Sequence, residues 1–153
     1  MNRLPVAVLL FLKTPVFAGG NDSFPTAFEL TLKRDACFGT CPVYAVRVNG
    51  NGAVDWTGER WVQQLGHLKT NVNPATVMRL RQAVQAANFF ALKDEYLDMS
   101  VTGLPYATVE VRQGTRRKTI HYYKGDPSVP TVLFNLAKQI DLELGTAAWI
   151  GKR

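Results

Sequence analysis

The chain has 153 residues, 46% of them hydrophobic and 20% charged, enough to bury a core within one domain. Its formal net charge of +6 is scattered apart from Arg116-Arg117-Lys118, a weak excess that favours loose contact with phosphates, anionic lipid or acidic glycans. With no module that interleaves aromatic residues with the charge, nucleic-acid binding is excluded. No run approaches the roughly 20 apolar residues of a spanning helix, so stable membrane insertion of the mature chain is excluded too.

Met1-Asn2-Arg3 is a short basic start, and Leu4 to Leu12 is apolar apart from Pro5. Val16 and Ala18 are small residues at the two positions a signal peptidase reads. Residues 1–18 therefore read as a signal peptide cleaved between Ala18 and Gly19, which places the mature protein in the periplasm or outside the cell. Lys13 lends some weight to the alternative, an apolar element opening a cytosolic domain. No cysteine follows the apolar run, so lipid attachment is not indicated.

The single domain is expected over 27–151. Asn21 to Thr26 is a loose leader. Phe28, Leu30 and Leu32 then alternate with Glu29, Thr31 and Lys33, a strand with one buried face. After the cysteines, Tyr44, Val46 and Val48 alternate, as do Val54 and Trp56. Between them, Asn49-Gly50-Asn51-Gly52 predicts a tight hairpin, because Asn and Gly accept positive φ cheaply. Glu59 to Val72 is less regular. Trp61 and Val62 suggest a third antiparallel strand, with Gly66 a bulge or its end.

Asn73-Pro74 is a cap followed by a first helical residue. Val77, Leu80, Val84 and Ala87 recur at helical spacing, which predicts a helix from about Pro74 to Ala87. Asn88-Phe89-Phe90 ends it on an apolar anchor, and Asp94 to Pro105 reads as a loop. Ala107, Val109 and Val111 mark a strand, Gln113-Gly114-Thr115 a turn, and Lys118 to Tyr123 the returning strand. Lys124-Gly125-Asp126-Pro127 is turn chemistry. Ser128 is placed to cap a last helix through Val132, Leu136, Ile140 and Leu144, with Gly145 as its C-cap. Ala147 to Ile150 is an apolar tail expected to pack back on the core. The order βββ-α-ββ-α predicts an α+β domain: an antiparallel sheet of about five strands with two helices on one face.

The only two cysteines, Cys37 and Cys41, flank Phe38-Gly39-Thr40. In an exported chain a disulfide is the preferred reading. It requires a bend, since a disulfide needs α-carbons about 4.4–6.8 Å apart and a straight strand would hold them roughly 13 Å apart. Three alternatives stay open, the plainest being two unbonded buried thiols. Cys37 and Cys41 could join His67 and His121 around zinc, although the histidines share no ligand spacing. A redox or nucleophilic thiol is conceivable, but the three-residue gap and the strand-like run after Pro42 differ from the thioredoxin pattern.

Cys37-Phe38-Gly39-Thr40-Cys41-Pro42-Val43-Tyr44 resembles the C-F-G-x-C-P-x-Y segment of the bacterial domain of unknown function 6438 family. Gly50 and Gly52 match that family's G-x-G hairpin, and Asn88-Phe89-Phe90 its N-F-F run. Thr102 to Pro105 and His121-Tyr122-Tyr123 resemble later segments. The similarity covers about Phe28 to Gly151. It implies a single exported α+β domain and supplies no activity.

Asp94, Glu95 and Asp98 form an acidic cluster that reads first as a solvated loop, and Ser100 and Thr102 sit in no hydrolase context. Trp56 and Trp61 read as core or cross-strand packing. Arg116, Arg117, Lys118, His121 and Tyr123 are the candidate binding residues, positive charge beside aromatic rings on one strand, against the plainer reading of a charge-protected sheet edge. No catalytic set, metal site or cofactor is predicted. The expectation is a non-enzymatic module binding an unidentified protein or an anionic component of the cell envelope. The alternative is an enzyme of unfamiliar type using the Cys37/Cys41 bend or the Asp94–Asp98 loop.

Overall fold

Alternation along the chain becomes a sheet with one buried and one open face. The computed structural model describes residues 27–151; the expected signal peptide and the leader up to Thr26 lie outside them. Four strands run first: β1 (Phe28–Arg34), β2 (Val43–Asn49), β3 (Ala53–Arg60) and β4 (Gly66–Asn71). Helix α1 (Pro74–Ala86), a 3-10 turn (Phe89–Ala91) and a short strand β5 (Glu95–Tyr96) follow. The hairpin β6 (Tyr106–Gln113) and β7 (Arg116–Tyr123) leads to α2 (Thr131–Leu144) and a last short helix, α3 (Ala147–Ile150).

The class is α+β, and three details of the expectation are corrected. The sheet has seven strands rather than about five, in the order β4-β3-β2-β1-β6-β7-β5. It is mixed rather than antiparallel, because β5 pairs with β7 in parallel, Glu95 opposite His121 and Tyr96 opposite Tyr122. A third helix, α3, joins the two expected. The missed strands are edge strands. β4, Gly-His-Leu-Lys-Thr-Asn, has no fully buried face and so no clear period of two, and β5 is two residues long. Trp61 and Val62 form a loop instead, which turns the chain back into β4.

The hairpin after β2 turns where expected but with different backbone geometry. Gly52 donates to the Asn49 carbonyl (3.0 Å), and of Asn49 to Gly52 only Gly52 has positive φ (84°). The side-chain oxygens of Asn49 and Asn51 both accept from the Ala53 amide. Asn73 caps α1 as read, its side chain accepting from Thr76 (2.8 Å), and Gly145 ends α2 in the left-handed region. Ser128 does not cap α2, which begins after Pro130. Its amide and hydroxyl donate instead to the buried Asp126 carboxylate, which also accepts from the Asp98 amide.

The inward residues of β1, β2, β3, β6 and β7 form one core cluster with Val77, Leu80 and Val84 of α1 and Leu133, Leu136, Ala137, Ile140 and Leu144 of α2. Both helices therefore cover the same face. α2 crosses the strands: Phe134 packs edge-on against Tyr122 of β7, Asp141 reaches β1 and β2, and beyond its end Trp149 packs on Trp56 of β3. α1 lies beside it, with Arg79 at the middle of α1 bonded to Glu143 near the end of α2 (2.8 Å). The opposite face carries charged pairs such as Arg47–Asp55 and Arg117–Glu110, the pattern of a sheet wet on one side. Among the described residues no helix is long and apolar enough to cross a membrane.

Candidate functional site: the disulfide end of the sheet

β1 and β2 are joined at one end of the sheet by Asp35 to Pro42. Cys37 and Cys41 are bonded to each other there, with α-carbons 5.7 Å apart, so the loop doubles back on itself as a disulfide between these positions requires. Phe38 at its tip is 93% exposed. Its amide donates to the Gly103 carbonyl (3.2 Å), which ties the tip to the loop that precedes β6.

A second closure lies at the base of the same loop. Arg34 and Tyr44 are paired across β1 and β2, and both reach Asp141 of α2. The Arg34 guanidinium donates to Asp141 Oδ2 (2.6 Å) and to the Tyr44 hydroxyl (2.8 Å). The Tyr44 hydroxyl donates to Asp141 Oδ1 (2.6 Å), and Thr146 donates to the same oxygen (2.8 Å). A carboxylate with a guanidinium on one oxygen and two hydroxyl donors on the other is well satisfied for its burial. Burial works against the Arg34 charge, but Tyr44 and Asp141 outweigh it and the guanidinium pKa rises. Burial pushes the Tyr44 hydroxyl up, with Arg34 opposing and Asp141 adding to the shift. Tyr44 therefore stays a protonated donor at neutral pH; at 1% exposure it is neither a base nor a nucleophile open to substrate.

The five candidate binding residues of β7 divide between the two faces. Arg116 and Lys118 point to the helix side: Arg116 lies over the Phe90 ring, 3.9 Å from its centroid, and Lys118 pairs with Asp94 (2.5 Å). Arg117, His121 and Tyr123 point to the open side. Arg117 pairs with Glu110, and His121 stacks on Tyr106 (5.2 Å) with its Nδ1 at Thr108 (2.9 Å). Tyr123 is buried and its hydroxyl accepts from the Leu104 amide. Strand alternation separates them, and they make no single patch.

His67 and His121 occupy one cross-strand row, through Thr57, Ala45, Lys33 and Thr108. Five interstrand steps put them about 24 Å apart, too far to share one metal, and the cysteines are bonded to each other. The Asp94–Asp98 carboxylates are dispersed as well. Asp94 pairs with Lys118, and Asp98 accepts from the Ser100 amide and hydroxyl. Trp56 is core, whereas Trp61 is 56% exposed.

The Arg34–Tyr44–Asp141 cluster was missed in the sequence, though a signal existed. Arg34 and Tyr44 stand three residues outside either cysteine, and both fall on the buried parity of their strands. A charged residue there demands a partner, and Asp141 lies on the apolar stripe of α2. The family described as Domain of unknown function (DUF6438) matches residues 28–143, and the chain belongs to that family. No curated protein matches it.

Proposed function

We propose that this chain is an exported, non-enzymatic module that binds a partner in the cell envelope through its disulfide end. The observation that carries the reading is Phe38. A large apolar side chain is 93% exposed on a loop closed once by the disulfide and again by Arg34, Tyr44 and Asp141. Ordering a loop before binding lowers the conformational part of the entropy that binding costs, and aromatic residues, Phe among them, are enriched at interface cores. The disulfide supports export, since such bonds persist in oxidising compartments. The basic residues of β7 are engaged within the fold: Arg117 and Lys118 are paired with acids and Arg116 lies over Phe90.

Two measurements on protein from the producing cell test it. Intact mass should correspond to a chain starting at Gly19 with two hydrogens lost to the disulfide; a full-length mass with free thiols refutes export. Cross-linking in the intact envelope should give a stoichiometric adduct that Phe38→Ser abolishes without lowering the melting temperature. An adduct unchanged by Phe38→Ser removes the loop from the reading.

A further inference from the structure

The Cys37–Cys41 bond closes a loop that the fold already holds at its base. Arg34 and Tyr44 are tied to Asp141 on either side of it, and the Asp35 amide donates to the Tyr106 carbonyl (3.1 Å). Beyond Asp35 the hold thins. Among the described residues the tip has one further hydrogen bond, from the Phe38 amide to the Gly103 carbonyl (3.2 Å). Neither cysteine belongs to the core cluster. Both are half-buried and the three residues between them are exposed, so the bond lies at the surface rather than under the core. Structural disulfides resist reduction, whereas exposed ones are the labile, regulatory or catalytic class.

We infer that this bond is a redox switch on Phe38, opened by a dithiol protein and closed by the reverse exchange with that protein's disulfide form, while the sheet and α2 keep their places. The inference rests on the proposed binding role of Phe38 and adds the device that controls it. By linkage, the bond and the fold stabilise each other to the same extent. A ring closed across three residues removes little chain entropy, so folding favours the bond by no more than about thirtyfold over the unfolded chain. Opening it passes two electrons to the protein. A thiolate of the dithiol attacks one sulfur of the Cys37–Cys41 bond, forms a mixed disulfide and expels the other sulfur as a thiolate. The second thiol then attacks the mixed disulfide, closes the dithiol's own disulfide and releases the remaining cysteine; the dithiol's two protons end on Cys37 and Cys41. The ring decides the class of reductant. With α-carbons held 5.7 Å apart, the expelled thiolate stays beside the mixed disulfide and displaces a monothiol again. A dithiol escapes this reversal because its own second thiol is equally close. Once the ring is open, binding must order the tip that the bond now holds.

The test uses the protein purified from its producing cell, with thiols read by alkylation and intact mass. Dithiothreitol and thioredoxin, both dithiols, should reduce it fully, whereas a millimolar buffer of glutathione and its disulfide should leave it oxidised. The dithiothreitol midpoint should lie within about thirtyfold of that of the same chain in urea. Chymotrypsin should cut after Phe38 in the reduced protein and not in the oxidised one, because a protease needs an extended segment that the ring forbids. A midpoint several hundredfold further towards reducing conditions, or ready reduction by the glutathione buffer, overturns the switch. So does equal cutting at Phe38 in both forms, or cutting throughout β1 and β2 on reduction, which would mean that the whole fold opens. Cys37→Ser with Cys41→Ser fixes the open form in the envelope and should lose the cross-link that Phe38→Ser abolishes. An undiminished cross-link in that double variant overturns control of Phe38 and leaves its binding role standing. No cross-link even from the parent strikes the binding role alone; the redox and protease measurements, made without a partner, still decide the switch.

Discussion

Arg34 and Tyr44 face each other across β1 and β2, at the two mouths of the disulfide loop, and hydrogen-bond to the two oxygens of one carboxylate, that of Asp141. Helix α2 is thereby fastened to the sheet where the loop begins and ends. Removing the carboxylate leaves a guanidinium in a site with little water. Asp141→Ala is expected to cost about 3–5 kcal/mol, and Tyr44→Phe, which deletes one hydrogen bond to a charged group, about 2 kcal/mol. Denaturant titration of both variants checks the ranking; equal losses would mean that the ion pair adds nothing beyond the hydroxyl.

The disulfide closes a loop whose base is already held, and the loop is short. Cys37→Ser with Cys41→Ser should therefore lower stability by no more than about 2 kcal/mol while leaving the fold in place. The envelope cross-link that depends on Phe38 should fall much further than stability does, because the tip loses its order. Circular dichroism and thermal melting, read beside the cross-link yield, separate the two effects.

Gly58 lies beneath the loop that carries Trp61. A Cβ there would collide with the Gln64 carbonyl and press on Val62 and the Trp56 indole. Gly58→Ala is expected to destabilise by about 1–3 kcal/mol, the usual range for overpacking, and to break the Trp56–Gln64 hydrogen bond. Near-ultraviolet circular dichroism would register the displaced indole.

The Tyr122 hydroxyl is buried with no hydrogen-bond partner among the described residues. A buried hydroxyl without a partner is a liability, so Tyr122→Phe should be neutral or stabilising by roughly 1 kcal/mol. A clear loss on denaturant titration would reveal a bridging water that the hydroxyl needs.

Acid should loosen the turn before α2. Hydrogen bonds from the Ser128 side chain, and then from the Asp98 and Ser128 amides, hold the Asp126 carboxyl below its ordinary value. A carboxylate whose folded pKa is depressed contributes its stability above the unfolded value of about 3.9 and loses it as pH falls through the folded value. Melting temperature should therefore be insensitive to this group near neutrality and drop in acid. Asp126→Asn should melt lower at neutral pH and show a shallower acid limb. Parallel acid limbs would assign the effect elsewhere, Asp55 being next, since hydrogen bonds from Arg47 and Lys69 lower its pKa as well.

Local chemistry alone determined a good deal. Alternation in Phe28–Leu32, Tyr44–Val48 and Ala107–Val111 marks strands because each has one dry face. Asn73-Pro74 and Gly145 mark helix ends because the unpaired amides and carbonyls there need a cap or a left-handed residue. The spacing of Cys37 and Cys41 around Gly39 called for a bend. Only the tertiary structure decided that Gly66–Asn71 and Glu95–Tyr96 are strands, that the β7 cations point to opposite faces, and that Asp141 answers Arg34 from 107 positions away. Edge strands bury too little to print a pattern, and the partner of a buried charge is chosen by how helices cross a sheet. That choice is made by packing over the whole chain, and no short window of residues contains it.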